Sequence, residues 1–122
     1  MPRELTSHRL NGLNDALRVL ALDEPGNGGA CHHYGIDLIG GESCSGLSIR
    51  FQNGPIGEVG INGVSNEALV AIVIDRLQGF QSGEFKCREN ALALTKLEET
   101  MHWLQHRTRE RLARGVEGTL KK

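Results

Sequence analysis

Twelve of the sixteen glycines lie between Gly12 and Gly63, and none lies between Gly83 and Gly115. Glycine loses more backbone freedom than other residues when ordered in a helix or strand and is at home in turns. The first half is therefore restricted to short elements joined by turns, while the second is free to build long helices. EPGNGG (24–29), Gly40-Gly41 and NGP (53–55) mark turns in the first half. Between them apolar residues alternate: Leu17, Val19 and Ala21, then Ile36 and Leu38, then Leu47, Ile49 and Phe51. A period of two is that of a strand with one buried face. The pattern predicts an antiparallel meander of about three strands within a glycine-rich β region, residues 1–62. Leu10, Leu13, Leu17 and Leu20 also fit a helical stripe, but Asn11-Gly12 inside it disfavours a helix. A short helix or turn is expected before about residue 15 and a strand after it.

Beyond Gly63 the period changes. Ser65 suits an N-cap, Glu67 suits the positive end of a helix dipole, and ALVAIVIDRL leads to Gly79, a natural stop. These signals predict a first helix over 66–78. It is apolar on nearly every side from Ala68 to Ile74, as expected of a helix covered on more than one face. GFQSGEFK then has the composition of a helix–helix turn, and residues 87–114 form an unbroken helical pattern up to Gly115. Leu94, Leu97, Met101 and Leu104 recur along it at intervals of three, four and three. The expected organisation is α+β: the β region, a helical hairpin over 63–115 with a long second arm, and a flexible tail over 116–122.

A chain of 122 residues has room for one domain, or a small domain with an appended hairpin. No stretch approaches the roughly 20 apolar residues of a membrane span. The opening residues MPRELTSHRL lack the apolar run of a signal peptide, so a cytoplasmic location is expected. Net charge is -1, which gives the whole chain no general attraction for nucleic acid or anionic lipid. Charge is unevenly placed, however: Arg107, Arg109, Arg111, Arg114, Lys121 and Lys122 face only Glu110 and Glu117 after His102. Cys31, Cys44 and Cys87 are odd in number and have no paired spacing, which argues against a disulfide framework or a zinc site and suggests buried thiols in a reducing compartment. With five aromatic residues, a core built in one copy is thin, and association would strengthen it.

Arg107 and Arg111 are four apart and so share a helix face, with Arg114 a turn further on. Such a pair can hold a phosphate or pyrophosphate by charge-assisted bonds, or simply complement the helix dipole at a solvated end. His102 and His106 are also four apart, and Cys31, His32 and His33 are adjacent, but neither group has the further ligands a metal needs. Asn90 is an unusual choice inside a helix unless its amide is used or it caps the first turn. Phe80 falls in the predicted hairpin turn across from it.

CRENALALTKLEETMHW (87–103), with GVSNEALVAIVIDRLQGFQSG before it and RTRERLARGVEGT after it, resembles the helical-hairpin domain of phage signal sponges. These proteins capture the nucleotide second messengers of bacterial immune systems. Hairpin-only relatives are the anti-CBASS sponges of cyclic oligonucleotides. Relatives with a glycine-rich β portion ahead of the hairpin are similar to the Thoeris anti-defence sponges of cyclic ADP-ribose isomers, and this chain has that longer layout. The hairpin resemblance covers about residues 60–119. It implies that the signal is held by an aromatic residue in the hairpin turn, an asparagine early in the second helix and two arginines near its far end, here Phe80, Asn90, Arg107 and Arg111. Phe80 would stack on the adenine or cover the sugar, Asn90 would bond a ribose hydroxyl or base edge, and the arginines would neutralise the pyrophosphate. The resemblance further implies a homo-oligomer, dimer or hexamer, in the infected host cytoplasm, with no catalytic residue, cofactor or metal.

Helix geometry adds a constraint. Asn90 and Arg107 are seventeen residues apart, which on one helix separates their backbones by about 25 Å. If all four residues bind one small signal, Phe80 and Asn90 come from one protomer and Arg107 and Arg111 from another, most simply across a two-fold axis. The competing expectations are a sponge for cyclic di- or trinucleotides, with or without a second site; a hydrolase using Cys31, His33 or the His102/His106 pair; and a DNA-binding regulator using the arginine face.

Overall fold

The computed structural model describes residues 2–39 and 46–120. Cys44, the Gly40-Gly41 turn signal and the lysine pair 121–122 lie outside the described residues. The chain divides into two compact units, Met1–Gly54 with Ile61–Val64, and Pro55–Gly60 with Ser65–Lys122. The class is α+β, as expected.

The first unit is a four-stranded antiparallel meander, β1 (Arg3–Leu5), β2 (Leu17–Ala21), β3 (His33–Leu38) and β4 (Leu47–Arg50), with strands in sequence order. The helix α1 (Gly12–Ala16) precedes β2, capped by the Asn11 side chain, which accepts from the Asn14 N–H at 3.0 Å. The competition between helix and strand in residues 10–20 thus ends in strand from Leu17 onward. Leu10 and Leu13 are exposed, whereas Leu17, Val19 and Ala21 turn to one face of a strand paired on both sides. In register, Leu5, Val19, Ile36 and Leu47 form one apolar row across the sheet, with Ala21, Tyr34 and Ile49 in the next. The opposite face carries Leu20 beside polar residues, among which Arg18 donates to both carboxylate oxygens of Asp37 at 3.0 and 2.8 Å. Strand β1 was not expected; three residues are too few to show a period, and their pairing with β2 is non-local.

The second unit contains α2 (Ile56–Val59), α3 (Asn66–Gln81) and α4 (Arg88–Arg114), with α3 packed on α4. Ser65 Oγ caps α3 by accepting from the Ala68 N–H at 3.1 Å. The helix does not stop at Gly79, as expected, but runs on to Gln81. Ser82 closes it instead, its hydroxyl donating to the Gly79 carbonyl at 2.8 Å and its N–H to Gln78 and Gly79. Phe80 consequently stands on the last turn of α3 rather than in the connection. Along α4 the half-buried or buried positions are Asn90, Leu94, Leu97, Met101, Leu104, Thr108 and Arg111, an alternating four-three spacing that makes one continuous seam. On α3 the corresponding seam is Val70, Ile74, Leu77 and Gln81, while Ile72 and Val73 are exposed, so one chain covers only one face of this apolar helix. Cys31 is buried, as expected of a structural thiol, but Cys87 is exposed: it caps α4, its sulfur accepting from the Asn90 N–H at 3.4 Å. Among the described residues no helix is long and apolar enough to cross a membrane.

Candidate functional site

The basic end of α4 is shaped by how that helix terminates. Gly115 adopts φ 74°, in the left-handed region, and the Val116 N–H donates back to the Arg111 carbonyl at 3.0 Å. The chain therefore doubles back, which brings residues 116–119 over Arg111. Arg111 Nε donates to Glu117 Oε1 at 2.8 Å, and its Nη2 donates to the carbonyls of Val116 at 2.9 Å and Thr119 at 3.1 Å. The tail expected to be flexible makes these bonds, and the Gly57 N–H donates to the Gly118 carbonyl at 3.0 Å. Arg111 is 7% exposed. Both arginines were expected at an exposed helix end; Arg107 is exposed, but Arg111 is not, because its own C-terminal segment covers it.

Arg107 and Arg111 nonetheless line one recess of about 340 Å³ along with Trp103, His106, Glu110 and Arg114. All six belong to one face of α4, at positions 103, 106–107, 110–111 and 114. Three guanidinium groups outnumber Glu110 and the Glu117 carboxylate paired with Arg111, which leaves the recess with a net positive charge suited to an anion. His106 Nε2 lies 3.2 Å from Glu110 Oε2, and the His102 and His106 rings stack with centroids 6.3 Å apart.

Phe80 and Asn90 stand at the other end of the hairpin, where α3 ends and α4 begins. The Arg76 guanidinium lies 5.2 Å from the centroid of the Phe80 ring, which remains 39% exposed. Asn90 is half-buried at the start of the α4 seam. Since α4 is one uninterrupted helix of 27 residues, the separation of about 25 Å between Asn90 and Arg107 within one chain holds. The structure thus brings the two arginines together and leaves Phe80 and Asn90 at a distance from them.

The first unit has its own recess of about 380 Å³, lined by Asp23, His32, His33, Arg50, Phe51, Asn53 and Asn62. Its side chains are largely engaged with one another or with backbone. Asp23 accepts from the backbone N–H groups of His32 and His33, at 2.9 Å and 3.2 Å, and the His32 bond above all holds its carboxyl below the ordinary value. The Asn62 side chain accepts from the Asn53 N–H and donates to the Asn53 carbonyl, both at 2.8 Å, while Asn53 Oδ1 accepts from Asn27 Nδ2 at 2.7 Å. The Cys31 thiol donates to the Asp23 carbonyl at 3.3 Å, and the His33 ring bonds Ser48 Oγ at 3.0 Å, so each has a different partner. Among the described residues no three of His, Cys, Asp and Glu are grouped to hold a metal ion.

Sequence reasoning did not single out Trp103, Glu110 or Glu117. The first two share the spacing that marked the arginines; Glu117 becomes a neighbour of Arg111 only through the reversal at Gly115.

Residues 46–109 match the family model described as Acb2/Tad1, hairpin domain. The match contains Phe80, Asn90 and Arg107, and stops two residues short of Arg111. Over 75 residues the chain is 61% identical to Thoeris anti-defense 1 of Bacillus phage SBSphiJ7, a stretch that covers 62% of this chain and 53% of that relative. The chain therefore spans about half the length of the curated relative it matches.

Proposed function

The chain belongs to the Acb2/Tad1 hairpin-domain family, and from that premise we propose that it is an anti-immune sponge of a phage. In this reading it binds a cyclic ADP-ribose-type second messenger of the Thoeris system and sequesters it, uncleaved, in the cytoplasm of the infected bacterium. The observation that carries the reading is the recess at the end of α4, where Arg107 and Arg111 meet a common space. Paired guanidinium groups neutralise a pyrophosphate through charge-assisted bonds and stay charged at every physiological pH. Arg111, clamped by Glu117 and two carbonyls, is held in place before any ligand arrives, which reduces the ordering cost of binding.

The other half of the pocket comes from a second copy in this reading, with Phe80 against the sugar or base and Asn90 bonding a hydroxyl or base edge. Exposed Ile72 and Val73 on α3 provide apolar surface for such an assembly, a dimer or hexamer. Capture alone needs neither nucleophile nor general base. The family name also covers hairpin proteins of the Acb2 type, and a cyclic di- or trinucleotide is the second signal class to test. The decisive experiment incubates the protein with cyclic ADP-ribose isomers, denatures it and weighs what is released. Intact ligand is expected; a cleaved product would defeat the sponge reading in favour of a hydrolase.

A further inference from the structure

Trp103 is the one tryptophan in the chain, and it is 64% exposed. A large aromatic ring left in water forgoes the stabilisation that burial gives it, so an indole so placed calls for a partner. Its surroundings indicate which. It lines the same recess as Arg107, Arg111 and Arg114, and stands four residues before Arg107, one helical turn or about 6 Å along the axis. The ring is also held: it meets His102 at 5.2 Å and 75°, and His106 at 5.6 Å and 83°, both perpendicular contacts. His106 is in turn tied to Glu110 at 3.2 Å. The recess thus presents an oriented aromatic plate beside a group of guanidiniums, all from one helix face of one chain.

An aromatic plate next to paired cations is the chemistry that recognises a nucleobase joined through a sugar to phosphate: the base stacks and the anion is neutralised. We propose that Trp103 is a ligand-binding residue that stacks on the purine of the nucleotide whose phosphates meet Arg107, with His102 and His106 as positioning residues for the indole. The inference rests on the capture reading above and deepens it. The arginine end of the pocket reads the base as well as the charge, and Phe80 is left to cover the sugar.

The single indole makes its own reporter. Wild type, Trp103→Ala, Trp103→Phe and Arg107→Ala are titrated with cyclic ADP-ribose isomers by calorimetry, and wild type is titrated in parallel by tryptophan emission. Inorganic pyrophosphate serves as the probe without a base. The expected result is quenching by the adenine-containing probe and not by pyrophosphate, with affinity lowered about tenfold in Trp103→Ala and much less in Trp103→Phe. If binding is lost in Arg107→Ala while Trp103→Ala binds like wild type, this inference falls and the capture reading stands. If no adenine-containing probe binds, both fall. A Trp103→Ala protein that keeps its affinity but loses mass in sedimentation would assign the indole to a contact between copies and likewise overturn the inference.

Discussion

Arg107 and Arg111 sit one turn apart on the same helix, yet their circumstances are opposite. Arg107 is exposed, so truncating it should shift stability by no more than about 0.5 kcal/mol. Arg111 is buried beneath its own tail and donates to Glu117 and to the carbonyls of Val116 and Thr119. Arg111→Ala should therefore cost about 2 kcal/mol, release residues 116–119 from the helix end, and weaken signal capture as well. Urea denaturation of the two alanine variants checks this: equal midpoints would show that the tail contributes nothing to the fold. The difference could not be read in the sequence, where two arginines in a last helical turn look alike. What separates them is the α4 seam, which ends at Arg111 and passes Arg107 by, together with a chain reversal that depends on the left-handed Gly115.

At the scale of elements, legibility followed the range of the interactions involved. Helix α4 was readable from end to end because its signals are local: a four-three apolar repeat and a glycine stop. Strands β2, β3 and β4 showed their period for the same reason. Strand β1, by contrast, exists only through pairing with β2, and the Phe51–Val64 bridge joins residues on either side of α2. That bridge depends on Gly63, where an added Cβ would lie 2.7 Å from the Arg50 carbonyl oxygen and closer still to the backbone of Phe51. Backbone cannot yield as a flexible side chain can, so Gly63→Ala should destabilise the first unit by about 1–3 kcal/mol. Amide exchange offers the test, with loss of protection expected at Gln52 and Val64, whose N–H groups bond across the bridge. Unchanged protection there would mean that the bridge moves aside without cost. Gly79, conversely, is a glycine whose signal misled: with no Cβ contact and Ser82 available as the cap, it is tolerated inside α3.

For the whole molecule, the governing quantity is the length of α4. A helix of 27 residues holds Asn90 and Arg107 about 25 Å apart in every copy, and no side-chain adjustment closes that distance around one small ligand. A pocket that uses all four residues is therefore divided between chains, and the proposed two-fold dimer can be tested through binding. An Asn90→Trp chain blocks the pocket at one end and an Arg107→Ala chain removes the charge at the other, so each homodimer should capture nothing. In a hybrid, the intact Asn90 of one chain faces the intact Arg107 of the other, while the second pocket carries both defects. Random exchange makes half of the dimers hybrids, each with one working site of two, so about a quarter of wild-type capacity should return on mixing. Recovery of this size, counted by calorimetric stoichiometry, is expected only for a pocket shared across a two-fold axis. An Asn90→Trp protein that captures as well as wild type would show that each chain binds alone, with Phe80 and Asn90 outside the site. Two inactive variants that stay inactive after full exchange would show that the pocket is not shared across a two-fold axis.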